Sequence, residues 1–173
     1  MAMVFLSIGA NLGDRMANIG RALTMLSEKE GIKLEALSSL YKSEPVDYID
    51  QPSFINGVAK ISTSYDPPSL LKALKSIEKS MGRAPDSHLM PRPIDLDILL
   101  FDNLILDSQE LTIPHPRLRS RRFALEPLIE IAPEIIDPVS SAPLSAYLVI
   151  VSDQKIFRIP DSIEVADARR HNA

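Results

Sequence analysis

The segment RPIDLDILLFD, residues 92–102, places two aspartates inside an otherwise apolar run. Successive side chains of a β-strand point to opposite faces, so Asp95 and Asp97 share one face, roughly 7 Å apart, while their apolar neighbours share the other. Two carboxylates at this separation repel each other unless a cation or a proton lies between them. The segment therefore predicts a strand with one face toward a core and a second face that carries chemistry.

This strand is the last in a predicted series of four strands and two helices. The strands are expected at residues 3–10, 33–42, 54–63 and 92–102, and the helices at residues 16–26 and 67–81. Asp66 suits the N-cap of the second helix, the prolines after it suit a first turn, and Gly82 suits its end. The order strand, helix, strand, strand, helix, strand is typical of one architecture. We therefore predict an α+β protein with a ferredoxin-like βαββαβ core.

Additional elements are expected on the C-terminal side of this core. They are a short strand around residues 104–106, a helix near residues 123–131, and a β-hairpin at residues 146–160 with its turn at residues 152–154. From residue 161 the chain is polar. We predict one domain over residues 1–160, followed by a polar tail or linker over residues 161–173.

Length and composition limit the class of protein. The chain has 173 residues, of which 45% are hydrophobic and 24% charged, as in a single globular domain. Its net charge of −4 argues against a large nucleic-acid footprint, and the lack of cysteine excludes disulfides and thiolate chemistry. The apolar run at the N-terminus is too short for a signal peptide or a membrane span. We therefore expect a cytoplasmic protein that binds neither membrane nor nucleic acid.

The acidic pair on the fourth strand suits a divalent cation. Mg²⁺ prefers oxygen ligands, usually takes one or two carboxylates, and completes its shell with water and substrate phosphates. Spacing alone leaves an alternative open, in which the two acids form salt bridges to Arg92 and a neighbour, or cap a backbone.

A basic segment follows, TIPHPRLRSRRF at residues 112–123. Four arginines lie within six residues, at positions 117, 119, 121 and 122, and no acid lies among them. Guanidinium groups bind phosphate oxygens in bidentate fashion, and two prolines stiffen the backbone around His115. The alternative is a solvated basic turn with a surface histidine. Together with the acidic pair, the segment favours a site for metal-bridged phosphates.

Two further patterns are weaker. Phe54 and Asn56 share one face of the third strand, where an aromatic plane and an amide suit a flat, nitrogen-rich ring, although an aromatic strand residue is more often part of a core. SIGANLGD, residues 7–14, lacks the spacing of a nucleotide-binding loop and predicts only a tight turn from strand to helix. Glu78 lies one residue off the apolar stripe of its helix, a position that also suits a plain surface charge.

Six motifs, taken in order, resemble those of the 6-hydroxymethyl-7,8-dihydropterin pyrophosphokinase family. They are IGANLGD, SSLYKSEP, QPSFINGV, IEKSMGR, PRPIDLDILLFD and LTIPHPRLRSRRFALEPLIEIAP, and the likeness extends from residue 3 to about residue 138. The resemblance implies a ferredoxin-like enzyme that transfers pyrophosphate from ATP to the hydroxymethyl group of the pterin, releasing AMP, in folate synthesis. Fusion to dihydropteroate synthase occurs in this family, so a chain fused to that enzyme or acting beside it is also implied.

The resemblance assigns roles to individual residues. It implies that Asp95 and Asp97 hold two Mg²⁺ ions between the ATP phosphates. Phosphate-binding positions fall on Arg83, Arg92, His115 and Arg121, and nucleotide-pocket positions fall on Glu78, Ile98 and Thr112. The pterin positions fall on Ser43, Val46, Phe54, Asn56, Asp95 and Phe123, with the two phenylalanine rings on either side of the pterin.

The chain departs from the family pattern at residues 84–91, APDSHLMP. Many members carry an arginine and a tryptophan where this chain has Pro85 and Leu89. We expect this segment to be a lid that closes over ATP but holds it less firmly than in typical relatives. Two rival functions fit the strand order. A nucleotidyl-transfer palm or cyclase does not explain Phe54, Asn56 and Phe123. An RNA-binding module needs exposed aromatics on its central strands and a basic surface, whereas the strand at Phe54 supplies one ring and the net charge is −4.

Overall fold

The computed structural model describes residues 1–44, 50–85 and 90–160. In chain order its elements are β1 (Ala2–Ala10), α1 (Arg15–Ser27), β2 (Ile32–Leu37), β3 (Tyr41–Ser43), β4 (Phe54–Thr63), α2 (Pro67–Ser80), β5 (Asp95–Phe101), β6 (Leu106–Asp107), β7 (Thr112–Ile113), α3 (Arg122–Ile131) and β8 (Ile156–Arg158). Two 3₁₀ helices lie at Leu118–Ser120 and Leu144–Val149.

Six strands form one antiparallel sheet with the order β5-β1-β4-β3-β8. The remaining strand, β2, also pairs with β4, along residues 59–63, while β3 pairs with residues 54–56. Strands β6 and β7 form a separate two-stranded sheet. The protein is therefore a mixed helix and sheet fold built on an antiparallel sheet.

The helices that follow β1 and β4 each begin at an aspartate side-chain cap, of which Asp66 is the one predicted above. Asp14 accepts a hydrogen bond from the Ala17 backbone N–H at the start of α1, and Asp66 accepts one from the Ser69 N–H at the start of α2. These caps satisfy backbone donors that have no partner within the helix. Gly82 follows α2 with a φ of +89°, a conformation that glycine adopts without strain. Helix α2 begins at Pro67 as predicted and ends at Ser80, one residue before the predicted end.

Helices cover both faces of the sheet. The ends of the strands are therefore the places where a ligand can approach the sheet. Apolar side chains of α1 and α2 pack on one face, where Ile55, Ala59 and Ile61 of β4 lie buried. Helix α3 and the second 3₁₀ helix pack on the other face, around Val58 and Leu99. The alternation along β4 is therefore as predicted, and Asn56 lies on the α3 face.

Two predictions about the strands are wrong. The single strand expected at residues 33–42 is two strands, β2 and β3. The hairpin expected at residues 146–160 does not form, because its first half is a 3₁₀ helix and its second half, β8, pairs with β3 instead. Apolar side chains at 144, 147, 148 and 151 follow a helical spacing and pack beside α3, which explains why this half is not a strand.

The short strand predicted around residues 104–106 corresponds to β6, and the helix predicted near residues 123–131 corresponds to α3. The polar tail or linker expected at residues 161–173 lies outside the described residues. Within the described ranges, no helix has the length and apolar character needed to cross a bilayer.

Candidate active site

Three residues form a row near one end of three neighbouring strands, with one residue on each strand. Asp95 of β5 lies opposite Gly9 of β1, and Gly9 lies opposite Asn56 of β4. Directly opposed residues of antiparallel strands project to the same face, so the carboxylate and the amide share a face, roughly 10 Å apart. The geometry brings the predicted metal and pterin residues into one site.

Gly9 is essential to this row because of the space it leaves. A Cβ atom at this position would lie 2.5 Å from Oδ1 of Asn56, far closer than real Cβ contacts. The Oδ1 of Asn56 therefore occupies the space beside Gly9, and its Nδ2 donates a hydrogen bond to the Ser43 hydroxyl at 2.6 Å. Sequence reasoning assigned only a turn to this segment and missed the residue.

The two aspartates of β5 differ in their surroundings. Asp95 accepts a hydrogen bond from Arg83 at 2.6 Å, and its second oxygen lies 3.3 Å from a guanidinium nitrogen of Arg92. Burial raises the pKa of Asp95, but the two guanidinium groups outweigh this effect and the net shift is downward. Asp95 thus makes the salt bridges of the alternative interpretation.

The side-chain carboxylate of Asp97 has no hydrogen bond or ion pair with any residue that the structure describes, although its backbone lies in the β1–β5 ladder. Burial, reinforced by the neighbouring charge of Asp95, raises the pKa of its carboxyl group to about 7. In the described ranges, no group of three or more His, Cys, Asp or Glu side chains is arranged to hold a metal ion. A cation at this place would have to draw its other ligands from a substrate or from water.

Glu78 is not a surface charge, because only 4% of the residue is exposed. One carboxylate oxygen accepts hydrogen bonds from the Leu96 backbone N–H and from Arg83, each at 2.9 Å, and the other lies 3.2 Å from Lys75. Glu78 therefore caps the outer edge of β5 and orients the arginine that contacts Asp95. The resemblance assigned it to the nucleotide pocket, whereas its carboxylate here contacts protein groups.

The other two nucleotide-pocket positions lie apart from the acidic pair. The Ile98 side chain is buried in the core under α1 and α2, on the face of β5 opposite Asp97. Thr112 lies in β7, where its hydroxyl contacts the Asp107 carboxylate at 3.5 Å within the small sheet.

His115 lies beside β5, since its backbone N–H donates to the Leu99 carbonyl at 2.9 Å. It is half-buried, contrary to the surface alternative, and burial, followed by the charge of Arg121, lowers its pKa to about 4. Its Nδ1 accepts a hydrogen bond from the Arg117 backbone N–H at 3.1 Å. The neutral ring therefore carries its proton on Nε2, which is left as a donor.

Two of the four arginines of the basic segment contact carboxylates of the fold itself. Arg119 binds the buried carboxylate of Asp137, with Nη2 to Oδ1 at 2.7 Å. Arg122 pairs with Glu126 at 3.1 Å and donates to the Gln154 carbonyl at 2.8 Å. Both side chains therefore stabilise the fold. Sequence spacing does not reveal which of the four arginines do so.

Each of the two aromatic rings assigned to the pterin faces a guanidinium group. The Arg92 guanidinium lies 5.0 Å from the centre of the Phe54 ring, and that of Arg121 lies 5.4 Å from the centre of the Phe123 ring. These are cation–π distances, so the phosphate-binding and pterin-binding predictions meet on the same side chains. Val46 and residues 86–89 lie outside the described residues, so the predictions for Val46 and for the lid stay predictions.

Comparisons with known proteins identify the family of the chain. A family model described as 7,8-dihydro-6-hydroxymethylpterin-pyrophosphokinase (HPPK) matches residues 5–133. The folic acid synthesis protein fol1 of Schizosaccharomyces pombe is 45% identical over 146 residues, which cover 84% of this chain and 20% of that protein. The 2-amino-4-hydroxy-6-hydroxymethyldihydropteridine pyrophosphokinase of Bacillus subtilis is 35% identical over 153 residues, covering 88% of this chain and 92% of that protein.

A solved structure of Plasmodium falciparum HPPK-DHPS has the same fold, with a TM-score of 0.67 at 18% identity, over 87% of this chain and 46% of that one. Fold and site together define a mixed helix and sheet domain in which acids, arginines and aromatic rings converge. By its sequence, the chain belongs to the HPPK family. It spans 20% of the length of the two fungal folic acid synthesis proteins that it matches, from Schizosaccharomyces pombe and Pneumocystis carinii.

Proposed function

We propose that this chain transfers pyrophosphate from ATP to the hydroxymethyl group of 6-hydroxymethyl-7,8-dihydropterin and releases AMP, a step in folate synthesis. The observation that carries the proposal is the row Asp95, Gly9 and Asn56, which joins a phosphate-and-metal region to a ring-binding region on one sheet face. Family membership and the Bacillus subtilis relative support the same reaction. The strand order β5-β1-β4-β2 further supports assigning the core to the ferredoxin-like fold.

The donor set fits Mg²⁺. Asp97 offers a carboxylate that the described protein groups leave without a hydrogen bond, and its raised pKa reflects a negative charge in need of a counter-ion. Asp95 stands two residues away on the same face, already neutralised by Arg83 and Arg92. We propose that both carboxylates hold Mg²⁺, with two ions expected, and that the arginines turn from Asp95 to the phosphates. Mg²⁺ would supply neutralisation of the charge on the transferred group.

The chain's own residues align the two substrates. In the reaction, the pterin hydroxyl oxygen forms a bond to the β-phosphorus, the bond from that phosphorus to the α-phosphate oxygen breaks, and the hydroxyl proton is released. Arg83, Arg92 and Arg121 bind phosphate oxygens as guanidinium donors, and Nε2–H of His115 adds a neutral donor. Alignment and charge neutralisation account for most of the rate in this class of reaction.

The pterin would be recognised by stacking and by one amide. Phe54 and Phe123 supply the flat faces, and the guanidinium groups now on those rings mark surfaces that already accept a planar cationic partner. Asn56, held by Ser43, presents an amide edge that both donates and accepts. Val46 is proposed to complete this edge.

The wider setting is proposed on the same basis. Dihydropteroate synthase is the proposed partner, fused or separate, because solved structures of the same fold are named HPPK-DHPS. One domain over residues 1–160 and a location in the cytoplasm stay predictions.

Product analysis tests the reaction. The chain is incubated with ATP, Mg²⁺ and the hydroxymethyl dihydropterin, and nucleotides are separated after quenching. AMP should accumulate with the pterin diphosphate at a ratio of one, and omission of the pterin or addition of a chelator should abolish both. Release of ADP would indicate a monophosphoryl kinase, and release of pyrophosphate would indicate nucleotidyl transfer, and either result contradicts the proposal.

A further inference from the structure

Asn11 lies at the end of β1, where its side chain contacts two separate segments of the site. Only 1% of the residue is exposed. Its Oδ1 accepts a hydrogen bond from the Arg92 backbone N–H at 2.8 Å, and its own N–H donates to the Arg92 carbonyl at 3.2 Å. Its Nδ2 donates to the Gln51 side-chain oxygen at 3.0 Å and to the Pro52 carbonyl at 3.3 Å.

The orientation of this amide is determined by its neighbours. A backbone N–H only donates and a backbone carbonyl only accepts, so the oxygen must face Arg92 and the nitrogen must face Pro52. One buried carboxamide thus joins the backbone that carries a phosphate-binding arginine to the backbone that leads into Phe54.

The side chains of the two segments are also in contact with each other. The Arg92 guanidinium lies over the Phe54 ring at 5.0 Å and beside Asp95 at 3.3 Å. A change in the position of either backbone would therefore move the ring relative to the carboxylates. Placement errors of about 1 Å are sufficient to slow a reaction by about a hundredfold.

We propose that Asn11 is a positioning residue that sets the distance between the pterin-binding ring and the phosphate-binding arginine. The inference rests on the proposed function and adds a residue to which the sequence reading gave no role in the reaction. Asn11 contacts neither substrate in this proposal and acts through Arg92 and through the Gln51–Pro52 backbone.

Two substitutions separate the two sides of the amide. Asn11→Asp keeps an oxygen for the Arg92 N–H but turns an oxygen toward the Pro52 carbonyl, which cannot donate. Asn11→Ala removes the contacts on both sides. Asn18→Ala is the matched control, because Asn18 lies in the first turn of α1 and its Nδ2 donates to the Leu12 carbonyl, next to Asn11 in the chain, at 3.0 Å.

Calorimetry and steady-state kinetics with ATP, Mg²⁺ and the pterin give the readouts. Asn11→Asp should raise the pterin dissociation constant about tenfold and change that of ATP by about twofold or less, as the two hydrogen bonds donated by Nδ2 to Gln51 and Pro52 are lost. Asn11→Ala should in addition lower kcat about tenfold to a hundredfold, because Arg92 loses its anchor. Asn18→Ala should match the wild type in all three constants.

A double-mutant cycle distinguishes positioning from general stability. If Asn11 acts through the ring, the loss of pterin affinity caused by Asn11→Asp should largely disappear in a Phe54→Ala background. Additive losses of pterin affinity in the double variant would overturn the inference. So would Asn11 variants that have a lower melting temperature but the same two dissociation constants and kcat as Asn18→Ala. If Asn11→Ala does not fold, the Asp variant and its cycle still decide. An inactive wild type that binds both ligands contradicts the proposed reaction alone, and a wild type that binds neither contradicts both proposals.

Discussion

Asp97 and Asp137 are aspartates of the same chain with opposite environments. Asp137 is fully buried, and its carboxylate accepts hydrogen bonds from Arg119, the Val139 N–H and the Ser140 hydroxyl. Asp97 is partly buried and has no such partner among the described residues. The hydrogen bond from Arg119 holds the pKa of Asp137 well below its usual range, whereas burial raises that of Asp97. A carboxylate satisfied by its own chain stabilises the fold, while one left unsatisfied is available to a ligand.

The same division separates two arginines that are two residues apart. Arg119 is bound to Asp137, on the side of the sheet that α3 and the second 3₁₀ helix cover. Arg121 precedes α3, faces the Phe123 ring, and lowers the pKa of His115. One short loop therefore supplies both the structural region around Asp137 and the proposed active site.

The largest expected effect comes from exchanging each aspartate for its amide. Asp97→Asn should reduce turnover by about a hundredfold or more, since a charged ligand for Mg²⁺ is lost, while the apo fold is retained. Asp137→Asn should instead lower the free energy of unfolding by about 2–3 kcal/mol, with turnover per folded molecule unchanged. Kinetics and urea unfolding of both variants give the comparison. An Asp97→Asn variant that keeps about a tenth or more of wild-type turnover would show that the metal assignment is wrong.

The arginine pair should repeat this contrast with smaller effects. Arg119→Met should destabilise the fold by about 1–2 kcal/mol, because a buried carboxylate loses its charged partner, and leave ATP affinity unchanged. Arg121→Met should weaken ATP binding by about 1–3 kcal/mol, the range for one charged hydrogen bond, and leave stability near wild type. Calorimetry with a non-hydrolysable ATP analogue and thermal unfolding distinguish them. Equal ATP losses in both variants would mean that the loop acts as one phosphate cluster after all.

Phe123 tests where the two regions meet, since its ring packs partly against the core under α3 and also faces Arg121. Phe123→Ala should weaken pterin binding by about 1–2 kcal/mol, as one stacking face is lost, with a smaller effect on ATP. Fluorescence titration with each ligand measures this. Equal losses for both ligands would indicate a displaced α3 rather than a lost stacking surface.

The smallest effect concerns the pH dependence of stability without Mg²⁺. The folded protein keeps the Asp97 proton to about pH 7, whereas the unfolded chain releases it near pH 4, so the free energy of unfolding falls as pH rises between these values. His115, with its pKa lowered to about 4, acts in the opposite direction up to about pH 6.5, because there the unfolded chain binds the proton.

Asp97→Asn removes the fall and leaves the rise. Its free energy of unfolding at pH 7 should exceed that of the wild type by an amount on the order of 1 kcal/mol, and its rise between pH 4 and 6.5 should be steeper. Urea unfolding across this pH range measures both, with Asp153→Asn, at an exposed turn residue, as the control for loss of charge. An unchanged or lower stability of Asp97→Asn at pH 7 contradicts the raised pKa of Asp97, whose causes are burial and then the charge of Asp95.

Much of the fold could be predicted because its signals are local. The alternation in β4 and β5, the Asp66 cap and the positive φ of Gly82 each depend on a few consecutive residues. The hairpin prediction was wrong because the partner of its second half is distant in the sequence. Strand β8 pairs with β3 more than a hundred residues earlier in the chain, a contact that no local pattern contains.

The acidic pair, the basic loop and the aromatic face were likewise evident from residue types and spacing, and the motif order was sufficient to indicate the family. Which of these groups the chain itself satisfies was decided only by tertiary structure. Arg83, which follows α2, binds Asp95, and Arg119 of the basic loop binds Asp137. Gly9 and Asn11 contact residues of strands and segments that are far away in the sequence. The physical reason is that a side chain's type and local period determine which face it occupies, whereas its charge state and hydrogen-bond partner depend on what the folded chain brings against that face.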